Sequence, residues 1–198
     1  MKNIILSIIF SVVYIFSYAQ PSNTVEVNNI RITTSMSSCN SAGGRHFEWD
    51  ITNLSNKTIK YISTKVMAVD NFFSPASCSI TNDVIHAGRI TGPIEGHPEL
   101  SNKQKIPNKY IESYQTIDLH YNPAATQSLL LKCKIEFTDN TIVEYTNNEL
   151  FEYLVNKSYN LVIDHLTETG QNDKLNNKAF MEIEKIYVRN LIFEKYFN

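Results

Sequence analysis

The chain has 198 residues, of which 42% are apolar and 19% charged, with six glycines, six prolines and a formal net charge of −2. Such a composition excludes collagen-like, low-complexity and wholly disordered chains, and the lack of a basic excess argues against nucleic acid as a partner. The length suits one domain with smaller flanking elements.

Residues 1–19 read as a secretory signal peptide. Lys2 supplies the positive start, Ile4 to Phe16 is apolar apart from two serines, and Ser17-Tyr18-Ala19 places small residues before a cleavage point between Ala19 and Gln20. The apolar run is shorter than the roughly 20 residues of a spanning helix. No later stretch is apolar for long enough to span. The sequence therefore predicts an exported protein, periplasmic or secreted, with no membrane span in the mature chain.

Residues 24–147 show the period of two that marks strands. Val25-Glu26-Val27 and Ile30-Arg31-Ile32 alternate as an opening strand. Phe47, Trp49 and Ile51 share one face of a half-buried strand, with Trp49, the only tryptophan, expected in the core. The polar turn Asn53-Leu54-Ser55-Asn56-Lys57 leads into a long strand over 58–69, and further strands are predicted over 114–121 and 129–137. Asp139-Asn140 reads as a hairpin turn, because both residue types tolerate positive φ, and 141–145 returns as its second strand. Between Asn71 and Glu112 the glycines and prolines predict long loops with one or two edge strands. Many short strands with frequent turns point to an antiparallel sandwich rather than a parallel α/β sheet.

At Thr146 the period changes to that of a helix. Thr146-Asn147-Asn148-Glu149 matches a capping box. A helix over about 148–168 follows, with Leu150, Phe151, Leu154, Val155, Leu161, Val162 and Leu166 on one side and Gly170 as its stop. His165 is expected to be packed against that apolar side. After a polar linker, a second helix over about 179–197 groups Phe180, Ile183, Ile186, Tyr187, Leu191 and Phe193 on a broad apolar face. Residues 148–198 are thus a two-helix tail, expected to pack on itself or on the sandwich.

Asn40-Ser41-Ala42-Gly43-Gly44, the strand holding Trp49, and Asn53-Leu54-Ser55-Asn56-Lys57-Thr58-Ile59-Lys60-Tyr61 together resemble a bacterial immunoglobulin-like domain of the FxLYD type. Cys78-Ser79-Ile80, Gly92-Pro93-Ile94, His120-Tyr121-Asn122 and Ile135 to Thr141 follow in the expected order, so the resemblance covers about residues 25–145 and none of the tail. Asn140 departs from the pattern by standing where glycine is common, and the stretch from Ile80 to Gly92 is atypical. The resemblance implies a mainly β, immunoglobulin-like antiparallel sandwich exported by bacteria, and it carries no catalytic residues.

Chemistry is sparse. No GxSxG, Walker, HExxH or EF-hand motif is present, so neither a catalytic set nor a cofactor is expected. His86, His97 and His120 are weak candidate metal ligands, of suitable type but without a recognised spacing. Three cysteines in an exported chain allow one disulfide. Cys39–Cys78 is the favoured pair, with Cys133 a buried thiol on a face shared with Leu129, Leu131, Ile135 and Phe137. The expected role is a non-catalytic module that binds an unknown protein or envelope component. The alternative is a small-ligand or metal-binding protein or enzyme with its site in residues 71–112.

Overall fold

The computed structural model describes residues 20–38, 44–116 and 119–198, so the expected signal peptide over residues 1–19 lies outside the described residues. Strands β1 (Thr24–Val27), β2 (Ile30–Ser38), β3 (Gly44–Asn53), β4 (Ile59–Val69), β5 (Ile85–Ile94), β6 (Glu112–Gln115), β7 (His120–Tyr121), β8 (Gln127–Phe137) and β9 (Ile142–Thr146) precede helices α1 (Asn148–Glu168), α2 (Asn172–Asn176) and α3 (Lys178–Ile192). A single π-helical turn, Phe193–Phe197, extends α3. The fold is mainly β, as expected. One antiparallel sheet runs β1-β2-β3-β6, with β7 also paired to β3, and the other runs β5-β4-β8-β9.

The two sheets enclose one apolar core. Ile30, Ile32, Phe47, Trp49 and Ile51 of the first sheet meet Ile59, Ile62, Val66, Leu130 and Ile135 of the second. Near the middle of β2 the layers are also joined by polar bonds. The Thr34 hydroxyl donates to the Ser128 carbonyl at 2.7 Å, and the Ser128 hydroxyl donates to the Ser35 carbonyl at 3.0 Å.

Turn chemistry explains several boundaries. The opening region forms two strands rather than one, because Asn28 and Asn29 take φ of 48° and 61°, the pair of left-handed residues that a two-residue hairpin needs. Asn140, at φ 63°, closes the β8–β9 hairpin. Asn53 is fully buried and organises the next turn. Its amide donates to the carbonyls of Lys57 at 2.7 Å and Ile94 at 3.1 Å, and its carbonyl oxygen accepts from the Ser55 backbone N–H and hydroxyl. The stretch expected to hold edge strands contains β5, which lies at a sheet edge, where Pro93 costs no ladder hydrogen bond. The run predicted over 114–121 is divided into β6 and β7 on the same partner strand.

A register shift between Lys65 and Val66 changes the expected faces of β8. Lys65 pairs with Lys132 but Val66 pairs with Leu130, which leaves Leu131 as the extra residue of a bulge. Leu130, Cys133, Ile135 and Phe137 therefore face the sandwich core, whereas Leu129 and Leu131 face outward. Cys133 is a buried free thiol as expected, but it does not share a face with those two leucines.

The outward apolar face is covered by the helical tail. Met67, Val69, Leu129 and Leu131 pack against Leu150, Phe151, Leu154 and Val155 of α1 and against Val188, Ile192, Tyr196 and Phe197 of the last segment. Asn147, one residue after the Thr146 of the expected capping box, is the N-cap. Its side-chain oxygen accepts from Leu150 N–H at 3.0 Å while its amide donates to the Leu130 carbonyl at 2.9 Å, tying helix to bulge. Arg189 forms an ion pair with Glu152 at 2.6 Å and lies over the Phe151 ring, clasping α3 to α1. His165, expected to be packed, is exposed.

Candidate functional site

Among the described residues, one cleft gathers nucleophilic and imidazole side chains and one helix face exposes apolar ones. The first is the end of the sandwich where β5 and β7 meet. The Phe47 ring stacks on His86 with centroids 4.9 Å apart and meets His120 edge-on at 5.6 Å. A cleft of about 370 Å³ is lined by both histidines together with Cys78, Thr81 and Asp83. His120 is buried, and its Nε2–H donates to the Ala76 carbonyl at 3.0 Å. Burial lowers its pKa, an effect partly countered by the Ala76 hydrogen bond and reinforced by the neighbouring His86. It is therefore the neutral imidazole that the fold stabilises.

Cys78 lies on the wall of the same cleft. Burial raises its pKa, but backbone N–H groups of Thr81, Ile80 and Tyr121 and the Thr81 hydroxyl outweigh that effect and bring it down to about 7. The Tyr121 N–H lies 3.4 Å from Sγ. Cys133, with no such donors, is pushed up to about 12 by burial alone. In the reduced protein, alkylation of Cys78 by iodoacetamide is expected to rise with pH through about 7 and to level off once the thiolate is fully formed. Cys133 is expected to stay unmodified until the protein unfolds. Mass-spectrometric rates that show no pH dependence for Cys78 between pH 6 and 8 would contradict this assignment.

Of the three histidines expected as metal ligands, the fold brings His86 and His120 together and leaves His97 apart. His97 lies past the far end of β5, separated from His86 by roughly 26 Å of extended strand. There it contacts the Tyr110 ring at 4.5 Å and Glu99 at 3.3 Å. Among the described residues no group of three or more His, Cys, Asp or Glu side chains is placed to hold a metal ion. The favoured Cys39–Cys78 bridge lies outside the described residues, because Cys39 is not one of them.

The second region is the outer side of α3. Ile183, Ile186, Tyr187, Leu191 and Phe193 are each between 47% and 64% exposed, while Val188 and Ile192 are the residues of α3 that are buried. The sequence correctly groups the five as one apolar face, but the helix packs with its other side. Five such side chains form a patch on the order of 300–600 Å², the size at which the largest apolar patch of a monomer is often functional. Glu182, Glu184 and Glu194 flank it alongside Lys185 and Lys195, so its border carries both signs of charge. The missed signal is in the sequence: Val188 and Ile192 make the opposite side of the helix apolar too, so both sides compete for the core.

Comparison with known proteins finds no matching family model, no matching curated protein and no matching solved structure.

Proposed function

We propose that this chain is an exported, non-catalytic immunoglobulin-like module that acts by binding another protein in the cell envelope or outside the cell. The observation that carries this reading is the solvent-facing apolar side of α3. A helix already anchored by Val188 and Ile192 presents Ile183, Ile186, Tyr187 and Leu191 outward, the spacing with which one helix docks into an apolar groove of a partner. The mixed-sign border disfavours an anionic membrane surface, which selects for Lys and Arg. The leader over residues 1–19 and the FxLYD-type pattern supply the export and domain assignments.

A photo-crosslinking residue placed at Tyr187, in the cell that makes the protein, tests the reading. The expected result is a discrete protein adduct that disappears when Ile183→Glu and Leu191→Glu are introduced. The same crosslinker at exposed Asp164 of α1 is expected to give none. Identical adducts at both positions, or none at either, would overturn it.

A small-ligand site at the histidine end is the second reading, favoured by the lowered pKa of Cys78 beside His86 and His120. Zinc that binds stoichiometrically and shields Cys78 from alkylation would raise this reading above the first.

A further inference from the structure

The outer face of the second sheet is only partly covered by the helices. Beyond their edge, the pairing of four strands sets side chains out as a grid. Ser63 of β4 is in register with Arg89 of β5 and Lys134 of β8, and Lys134 is in turn opposite Glu144 of β9. One row nearer the helices, Lys65 is opposite Ala87 and Lys132, and Lys132 is opposite Thr146. These residues line a groove of about 530 Å³ whose floor is the small residues Ser63, Ala87 and Thr146 with the backbone of Gly88.

Four cations and one carboxylate thus share one concave surface on a chain whose formal net charge is −2. Lys134 pairs with Glu144 at 3.3 Å. Arg89 and Lys132 have no carboxylate partner among the described residues. Arg89 stacks on the Tyr61 ring at 4.5 Å, Lys132 lies 6.0 Å from the centre of the Phe193 ring, and Lys65 donates at 2.7 Å to the main-chain oxygen of Asn198, the last residue of the sequence. Lys65 and Lys132 are direct cross-strand neighbours, an arrangement that destabilises a sheet. Each also touches the last segment of the chain, Lys65 at Asn198 and Lys132 at Phe193.

We propose that this groove binds a ligand bearing two or more phosphate or sulfate groups. Lysines act as point charges suited to phosphate and sulfate, whereas carboxylates are best held by a free guanidinium fork, and the one arginine here is committed to an aromatic face. Strand and residue spacings put the cations roughly 5–10 Å apart, so a single anion cannot engage them all. This site is distinct from the α3 face, and either assignment can fail without the other.

Titration of the full chain with inorganic tripolyphosphate, followed by calorimetry, tests the proposal. Saturable one-to-one binding is expected at low salt, weakened about tenfold or more in the Lys65→Ala/Lys132→Ala double variant. The ligand-free double variant loses a repulsion together with the Lys65–Asn198 and Lys132–Phe193 contacts, so it is expected to melt close to the parent. That separates loss of binding from loss of fold. Competition by a sulfated disaccharide assigns the natural anion to sulfate esters, and its absence assigns it to phosphates. No saturable binding, equal binding by the double variant, or equally tight binding of a hexaglutamate peptide would overturn the proposal.

Discussion

Removing residues 171–198 is expected to abolish the stable monomer. The deleted segment contributes Val188, Ile192, Tyr196 and Phe197 to the cover over Met67, Val69, Leu129 and Leu131. Four largely buried apolar side chains at about 1.5–3 kcal/mol each amount to roughly 6–12 kcal/mol. A domain's entire stability is only about 5–15 kcal/mol. The truncated chain would also present a contiguous apolar sheet face to solvent, an aggregation hazard. The outcome is measured by size-exclusion chromatography and thermal melting of the 20–170 fragment. A soluble, monomeric fragment with a cooperative melt would show α2, α3 and the last turn to be dispensable.

A milder probe of the same contact is Phe197→Ala. Phe197 is fully buried and packs edge-to-face on Phe151 with centroids 5.2 Å apart. Its loss is expected to cost about 3–5 kcal/mol. Leu191→Asn, six residues earlier and on the exposed side, is expected to change stability by no more than about 0.5 kcal/mol. The contrast between neighbouring positions tests which side of α3 faces the sheet.

The second large effect is expected in the sandwich core, at Trp49. Its ring is 2% exposed and lies against Gly88 of β5, where an added Cβ would stand 2.8 Å from Cζ2 of the indole and 2.9 Å from the Thr64 hydroxyl oxygen. No side chain fits there unless the indole moves. Trp49→Ala is expected to cost about 3–5 kcal/mol, and Gly88→Ala about 1–3 kcal/mol by overpacking. The two positions touch, so their effects are not expected to add. In a Trp49→Phe background the smaller ring leaves room, and the cost of Gly88→Ala is expected to shrink by about 1 kcal/mol or more. Chemical denaturation followed by circular dichroism reads Trp49→Ala, Gly88→Ala, Trp49→Phe and the Trp49→Phe/Gly88→Ala double variant. An unchanged Gly88→Ala cost in both backgrounds would show that the indole does not set the space at Gly88.

Much of the architecture is legible in local residues. Alternation in Phe47-Glu48-Trp49-Asp50-Ile51 places Trp49 in the core because a strand turns every second side chain to the same face. Asp139-Asn140 marks a hairpin because asparagine tolerates the left-handed backbone found there. The 3.6-residue period from Leu150 onward sets out α1, whose span of Asn148–Glu168 coincides with the range expected from sequence. The opening hairpin was missed, although Asn28-Asn29, a pair of residue types that tolerates positive φ, carries its signal.

The candidate sites were much less legible, since each is assembled from distant segments. His86 and His120 face one another across Phe47 only because β5 closes one end of the second sheet and β7 pairs with β3 of the first. Cys78 acquires its donors from Ile80 and Thr81 nearby and from Tyr121 far along the chain. The cationic grid depends on the register of four strands, and a one-residue slip would send its side chains to the opposite face.

Periodicity and turn chemistry in the sequence alone thus determine a β-rich body followed by two principal helices, together with most of the side chains that fill the sandwich. Tertiary structure decides two further matters. The bulge at Leu131 reverses the phase of β8, so Leu129 and Leu131 face the helices while Cys133 faces the core. The side of α3 that packs is the one carrying Val188 and Ile192, and the more apolar side remains in solvent. The physical reason is the same in both cases. A sequence pattern reports which faces are apolar, but burial depends on which complementary surface each face meets, and that surface belongs to residues far away in the chain.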